Sequence, residues 1–281
     1  MTETAAPPGL PRPLALLARL PPVARPLASP PRARGAAEAR RELRIALLWG
    51  AACHGLFGLA VAAMAAGMWT GMTLGLGTVP APWSWAANLA LIAQFPLVHS
   101  LLLTDRGRRA LGRLGPAGTG PTLATTTYAL IASVQLLALF LLWTPSGIVW
   151  WRAEGWEVTG VALAALGAWG LLVKASWDAG AEVQSGLLGW LSLARGARPR
   201  FPPMPVAGSF RTIRQPIYLG FALSTWAVPV WTPDQLLLAA TLSAYCLLGP
   251  RAKERRFARM FGADWAAYRA RTPYMIPRRR R

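Results

Sequence analysis

Charge is scarce in this chain. Lys, Arg, Asp and Glu make up 15% of its 281 residues, against roughly 25% in a soluble domain. Only 11 residues are acidic, and there are two histidines and two cysteines. Two cysteines inside apolar runs, Cys53 and Cys246, exclude a disulfide framework and read as small packing residues. No Cys/His group has metal-ligand spacing, so no metal site is expected. The basic residues are the exception: 30 Lys and Arg give a net charge of +19. In a soluble chain that excess points to nucleic acid. Here the charges fall in four clusters separated by long apolar runs, the distribution of a polytopic membrane protein, which argues against a nucleic-acid partner.

The apolar runs predict an all-α polytopic membrane helix bundle. Segments at 45–69, 83–103, 123–143 and 158–177 each approach or exceed the roughly 20 residues that cross about 30 Å of hydrocarbon. Two shorter runs, 217–231 and 235–249, are joined at Thr232-Pro233-Asp234 and read as a short helical hairpin, for about five to six membrane segments in all. Pro229 is expected to kink the fifth. Residues 1–44, rich in Pro, Ala and Arg, read as a disordered basic tail resting on lipid headgroups. Residues 45–277 form the membrane domain, and 278–281 a second basic tail.

Orientation follows from the basic residues. Residues 1–44 hold eight Arg, the 104–122 loop four, the 177–216 loop five, and residues 250–281 eleven Lys and Arg. With six segments, 28 of the 30 basic residues lie on one side. The positive-inside rule makes that side, and both termini, cytoplasmic, as expected of a bacterial inner-membrane protein. Trp69, Trp83, Trp85, Trp143, Trp150, Trp151 and Trp231 fall at the opposite ends, as an interfacial belt would.

Polar groups crowd the base of the hairpin: Arg211, Arg214, Gln215 and Tyr218 before it, and Arg251, Lys253, Glu254, Arg255 and Arg256 after it. A hairpin brings its two ends together, so these groups are expected to meet, with Tyr245 beside Tyr218. Such a set either binds a ligand with charged and apolar parts or anchors the hairpin to headgroups. His99, beside Ser100, is a polar group inside a membrane segment and so a site candidate or an interhelical hydrogen-bonding residue. His54 reads as packing. Asp178 and Glu182, one turn apart, are expected to share a helix face.

The order of the hairpin residues carries more. Arg214-Gln215-Pro216-Ile217-Tyr218-Leu219-Gly220, followed about 30 residues later by Lys253-Glu254-Arg255-Arg256-Phe257, Phe261-Gly262, Trp265, Tyr268 and Pro277, resembles the two signature elements of the isoprenylcysteine carboxyl methyltransferase superfamily. His99-Ser100, Thr127-Tyr128-Ala129-Leu130, Trp226-Ala227-Val228-Pro229 with Thr232, and Trp177-Asp178 with Gln184 six residues on are similar to its methanethiol S-methyltransferase branch. The resemblance covers roughly residues 45–277. Gln215 stands where the motif has His, Lys253 where it has the first of two Glu, and Ser176 where the branch often has His.

The resemblance implies an S-adenosylmethionine (SAM) cofactor bound at about residues 205–277 by Arg214, Gln215, Tyr218, Leu219, Glu254, Arg251 and Arg255. It implies methyl transfer to a small thiol, methanethiol to dimethyl sulfide, with Tyr218, His99 and Asp178, and more distantly Gln184, on the acceptor side. Alternatives within the same fold are a phospholipid or isoprenylcysteine-type methyltransferase and a non-catalytic or haem-binding relative. Membrane lipids are the other expected contact.

Overall fold

The computed structural model describes residues 20–116 and 118–277. These fall into two compact units. The first combines the described residues up to Val61 with Leu97–Leu137 and Gly180–Pro203; the second combines Ala62–Pro96, Ala138–Ala179 and the described residues from Met204 onward. Almost all regular structure is helical: α1 Pro21–Leu27, α2 Ala36–Trp69, α3 Trp83–Leu102, α4 Asp105–Leu114, α5 Gly120–Leu141, α6 Trp156–Asp178, α7 Ala181–Gln184, α8 Leu187–Arg195, α9 Pro216–Trp226, α10 Pro233–Leu248 and α11 Pro250–Arg271. The two-residue strands β1 (Trp151–Arg152) and β2 (Val230–Trp231) pair antiparallel, Trp151 opposite Trp231.

Helices α2, α3, α5 and α6 are long and apolar enough to cross a bilayer. Their side chains behave accordingly. Leu48, Leu59, Leu97, Leu101, Leu163, Leu166 and Val173 are each at least 60% exposed. So much outward leucine would be an aggregation surface in water, and in hydrocarbon it is simply solvated. The protein is a polytopic all-α membrane protein. Helices α9 and α10, at about 1.5 Å per residue, are only about 16 and 24 Å long, and they form the short hairpin.

In the first unit, Ala46, Leu123 and Leu193 form a small core against Ile45, Trp49, Trp190 and Ala194. Hydrogen bonds stitch the apolar helices together, as expected where no water competes. Trp190 Nε1 donates to His54 Nε2 at 2.9 Å, and Trp49 Nε1 donates to Thr127 Oγ1 at 3.2 Å. Thr126 Oγ1 accepts from Trp190 N and donates to the Gly186 carbonyl. His54 is therefore a packing residue, as its sequence context indicated.

Residues 20–44 correct the expectation of a disordered tail; residues 1–19 and 278–281 lie outside the described residues. Buried Glu42 accepts from Arg32 and from Arg34 (2.6 Å), and Arg34 also donates to the carbonyls of Leu193 and Ala194. Arg25 pairs with fully buried Glu182 at 2.8 Å. Few as they are, the acidic residues neutralise specific arginines and dock this segment. Asp178 and Glu182 do not share a helix face, because α6 ends at Asp178 and Gly180, at φ +92°, turns the chain before α7.

In the second unit, α6 lies against α9. Gly220 permits the crossing: a Cβ there would come within 2.8 Å of the Leu172 amide nitrogen. Pro216, Pro233 and Pro250 open α9, α10 and α11 at their first turns, where a missing N–H costs nothing. Pro229 does not kink α9; the helix has already ended at Trp226, since the residue before a proline disfavours the helical region. Trp143 is not part of an interfacial belt. It is fully buried and donates to Asp234 at 3.0 Å, and Asp234 also accepts from the Ser146 amide.

Candidate functional site

The hairpin ends and α11 build a cleft wholly inside the second unit. Its walls are Pro205, Phe210, Arg214, Gln215, Lys253, Glu254, Phe257, Trp265 and Tyr268. Pro216 starts α9 immediately after Arg214 and Gln215, so both side chains sit at the helix mouth. Their amides pair with a returning strand of chain: Arg214 N donates to Pro273 O at 2.9 Å and Gln215 N to Tyr274 O at 3.1 Å. The return is made by Gly262, whose φ of +49° and ψ of −116° break α11. This backbone state suits glycine, and it turns Trp265 and Tyr268 back onto the cleft.

Glu254 is the centre of the polar wall. It accepts from Arg214 Nε at 2.9 Å, from Arg214 Nη2 at 3.4 Å and from Gln215 Nε2 at 2.8 Å. Arg214 also donates to the carbonyls of Thr272 and Arg269, and its guanidinium lies 5.6 Å from the Tyr274 ring centre. Gln215, buried, thus bridges the two motif elements with an amide rather than an imidazole. Its Oε1 faces Lys253 Nζ at 3.5 Å.

Aromatic rings form the other wall. Phe257 packs edge-on against Phe261 and Trp265, and Trp265 lies tilted, at 57°, against Tyr268. The Lys253 ammonium sits 5.4 Å from the Phe257 ring centre, 5.7 Å from Phe210 and 5.8 Å from Tyr218. Burial lowers its pKa to about 8; Glu254 opposes the shift and Arg256 adds to it. The Tyr268 hydroxyl donates to Phe210 O at 2.8 Å, and burial pushes its pKa up to about 12, so it stays a donor at neutral pH.

Of the residues expected at the cofactor site, Arg214, Gln215 and Glu254 line the cleft, and Tyr218 borders it through Lys253. Leu219 is half-buried one residue farther along α9, while Arg251 and Arg255 are exposed and outside the lining. Asp178 lies in the same unit but not in the cleft. It is paired with Lys174 at 2.5 Å and accepts from Ser209 N at 2.7 Å and Ser209 Oγ at 2.8 Å. It therefore holds the 3-10 turn Gly208–Arg211 that carries Phe210. His99 and Gln184 belong to the first unit, where the His99 ring packs 4.6 Å from that of Tyr128. Phe210 and Pro205 were not legible as site residues: they precede the motif, and Phe210 reaches the cleft through tertiary contacts with Tyr268 and Lys253.

Fold and cleft define the class: a polytopic all-α membrane protein whose cleft is lined by both charged and aromatic side chains. No family model and no solved structure matches the chain, but curated relatives do. Methanethiol S-methyltransferase 1 of Bradyrhizobium diazoefficiens is 31% identical over 195 residues, covering 69% of this chain and 67% of that protein. Methanethiol S-methyltransferase 2 of the same organism is 31% identical over 212 residues, covering 68% of this chain and 72% of that protein. The Pseudomonas deceptionensis methanethiol S-methyltransferase is 29% identical over 208 residues, covering 71% and 75%. The chain belongs to the methanethiol S-methyltransferase family. It is an enzyme of the methyltransferase class and requires a methyl donor.

Proposed function

We propose that this chain transfers the methyl group of SAM to the sulfur of methanethiol, releasing dimethyl sulfide, with its cleft and both termini on the cytoplasmic side of the bacterial inner membrane. The observation that carries this reading is the donor set of the cleft. Arg214 suits a carboxylate, Glu254 suits an ammonium, and the Phe210, Tyr218 and Phe257 faces suit a cationic sulfur. These are the groups of SAM's amino-acid end, and Trp265 and Tyr268 offer further ring surface. The fit is chemical rather than volumetric: the cleft leaves no free space even for a water molecule, where small-molecule sites hold roughly 300–1,000 Å³. Binding thus requires side chains to move.

When bound, SAM supplies an electrophilic methyl group on a cationic sulfur, which a thiolate takes in line. The chain's own residues bind, orient and exclude water. Arg214 and Glu254, already hydrogen-bonded to each other, exchange that pairing for contacts to the donor. Tyr268 and Asp178 fix the Phe210 wall through its carbonyl and through Ser209. Tyr218, whose ring borders the cleft beside Lys253, is the acceptor-side residue nearest to it. The proposed chemistry makes no use of His99. Of the two imidazoles a haem-binding role could draw on, His54 is already engaged, since its Nε2 accepts from Trp190 and an axial ligand needs a free lone pair.

Cells expressing the chain and supplied with methanethiol should release dimethyl sulfide above a vector control, measured by headspace gas chromatography. Absence of dimethyl sulfide from protein that binds SAM would refute the thiol assignment and favour a lipid or isoprenylcysteine-type acceptor.

A further inference from the structure

Within the cleft one ammonium group already sits among aromatic rings. Lys253 Nζ lies within 5.8 Å of three ring centres, Phe210, Tyr218 and Phe257, which approach it from the 3-10 turn, α9 and its own helix. Two of these rings are walls of the cleft, and Lys253 itself is a third. Its polar contact is the long one to Gln215 Oε1, while Glu254, one residue on, is taken up by Arg214 and Gln215. The ammonium is therefore held chiefly by ring faces, in a cleft with too little room for a second occupant.

We propose that Lys253 is a tethered competitor for the cation subsite of the cleft: its ammonium occupies the Phe210–Tyr218–Phe257 cage, and the methyl donor's cationic sulfur enters that cage only after Lys253 has left it. The inference rests on the SAM reading above and adds the residue that sets donor affinity. Lys253 leaves by rotation of its own unbranched side chain, with no backbone change. Once displaced, it remains close enough to repel a second positive charge. The neutral sulfur of the product S-adenosylhomocysteine meets no such repulsion.

Proton loss from Lys253 weakens the competitor as well. The charged and titratable groups facing it are Glu254 and Arg256 on its own helix, Tyr218 on α9, and Arg214 and Tyr268 across the cleft. With its pKa near 8, Lys253 is mostly charged at pH 7 and mostly neutral at pH 9. Donor affinity should therefore rise over that interval.

The test is calorimetric binding of SAM and of S-adenosylhomocysteine to the full-length chain in dodecylmaltoside, comparing wild type with Lys253→Met and Lys253→Gln. At pH 7 the variants should bind SAM about 5- to 30-fold more tightly, the range expected from releasing a desolvated cation–ring contact, with a smaller gain for S-adenosylhomocysteine. The ligand's own α-amino group titrates near pH 8, so the readout is the difference between profiles. The gap between wild type and variants should close by pH 9. Binding is used rather than turnover because thiolate formation gives turnover its own rise with pH. Wild type that binds SAM no more weakly than either variant, or a gap that does not change with pH, overturns the competitor role and leaves the SAM reading standing. No SAM binding by any of the three overturns both.

Discussion

Removing the Glu254 carboxylate should strand the Arg214 guanidinium. The two side chains are only 14% and 10% exposed, so their pairing is close to a buried one, for which loss of one partner costs about 3–5 kcal/mol. Two features reduce that figure. Arg214 keeps the carbonyls of Thr272 and Arg269, and the site opens enough for partial hydration. Gln215 Nε2 loses its acceptor too, adding about 1 kcal/mol. Glu254→Ala is therefore expected to cost about 3 kcal/mol of stability, given the 3–5 kcal/mol scale for buried pairs. Glu254→Gln keeps an acceptor oxygen and should cost about 1 kcal/mol, the difference between a charged and a neutral hydrogen bond. Arg214→Met leaves Glu254 with Gln215 alone and should cost about 2–3 kcal/mol. The double variant strands no charge, so its cost should fall short of the sum of the singles by about 2 kcal/mol, within the range for directly coupled residues. Unfolding in dodecylmaltoside micelles titrated with sodium dodecyl sulfate measures all four proteins. Additive costs, with coupling below about 0.5 kcal/mol, would refute the claim that Arg214 and Glu254 are directly coupled across the cleft wall.

Tyr268→Phe removes the hydroxyl that donates to Phe210 O and should cost about 1 kcal/mol in the same assay, with weaker SAM binding because the Phe210 wall is released. Asp178→Ala, which frees Ser209, should cost about 1.5–3 kcal/mol, while Asp178→Asn, still able to accept from Ser209, should lose less; equal losses would show that charge alone matters there. Gly220→Val places a branched side chain against the Leu172 backbone and should destabilise by about 1–3 kcal/mol or more, visible as lower yield of folded protein from membranes. A reporter fused after Arg281 should be active only as a cytoplasmic fusion, and a periplasmic signal would reverse the proposed orientation.

Sequence alone determined the class of fold, because hydrocarbon imposes a rule that composition can show: a span needs about 20 apolar residues and no stray charges. The onset of α3 at Trp83, the onset of α9 one residue before the apolar run that begins at Ile217, and the hairpin turn at Thr232-Pro233-Asp234 were legible for that reason. Arg214, Gln215 and Glu254 were legible as a group because a hairpin must return its ends to one place. The resemblance to known methyltransferases rested on the order of those same residues.

Only tertiary structure decided how the scarce charges pair off. Glu42 takes Arg32 and Arg34, Glu182 takes Arg25, and Asp178 takes Lys174 and Ser209, so residues 20–44 are docked and Asp178 supports a cleft wall without lining it. Lys174 and Asp178 are i,i+4 neighbours on α6, but no local pattern announces Arg25 with Glu182, 157 residues apart, or Asp178 with Ser209. The same holds for Trp143, buried on Asp234, and for Lys253 among three rings. Placement of a cation over aromatic faces depends on which helices converge there, and that convergence is fixed by packing: Gly220 letting α6 close on α9, and Gly262 turning α11 back at φ +49°.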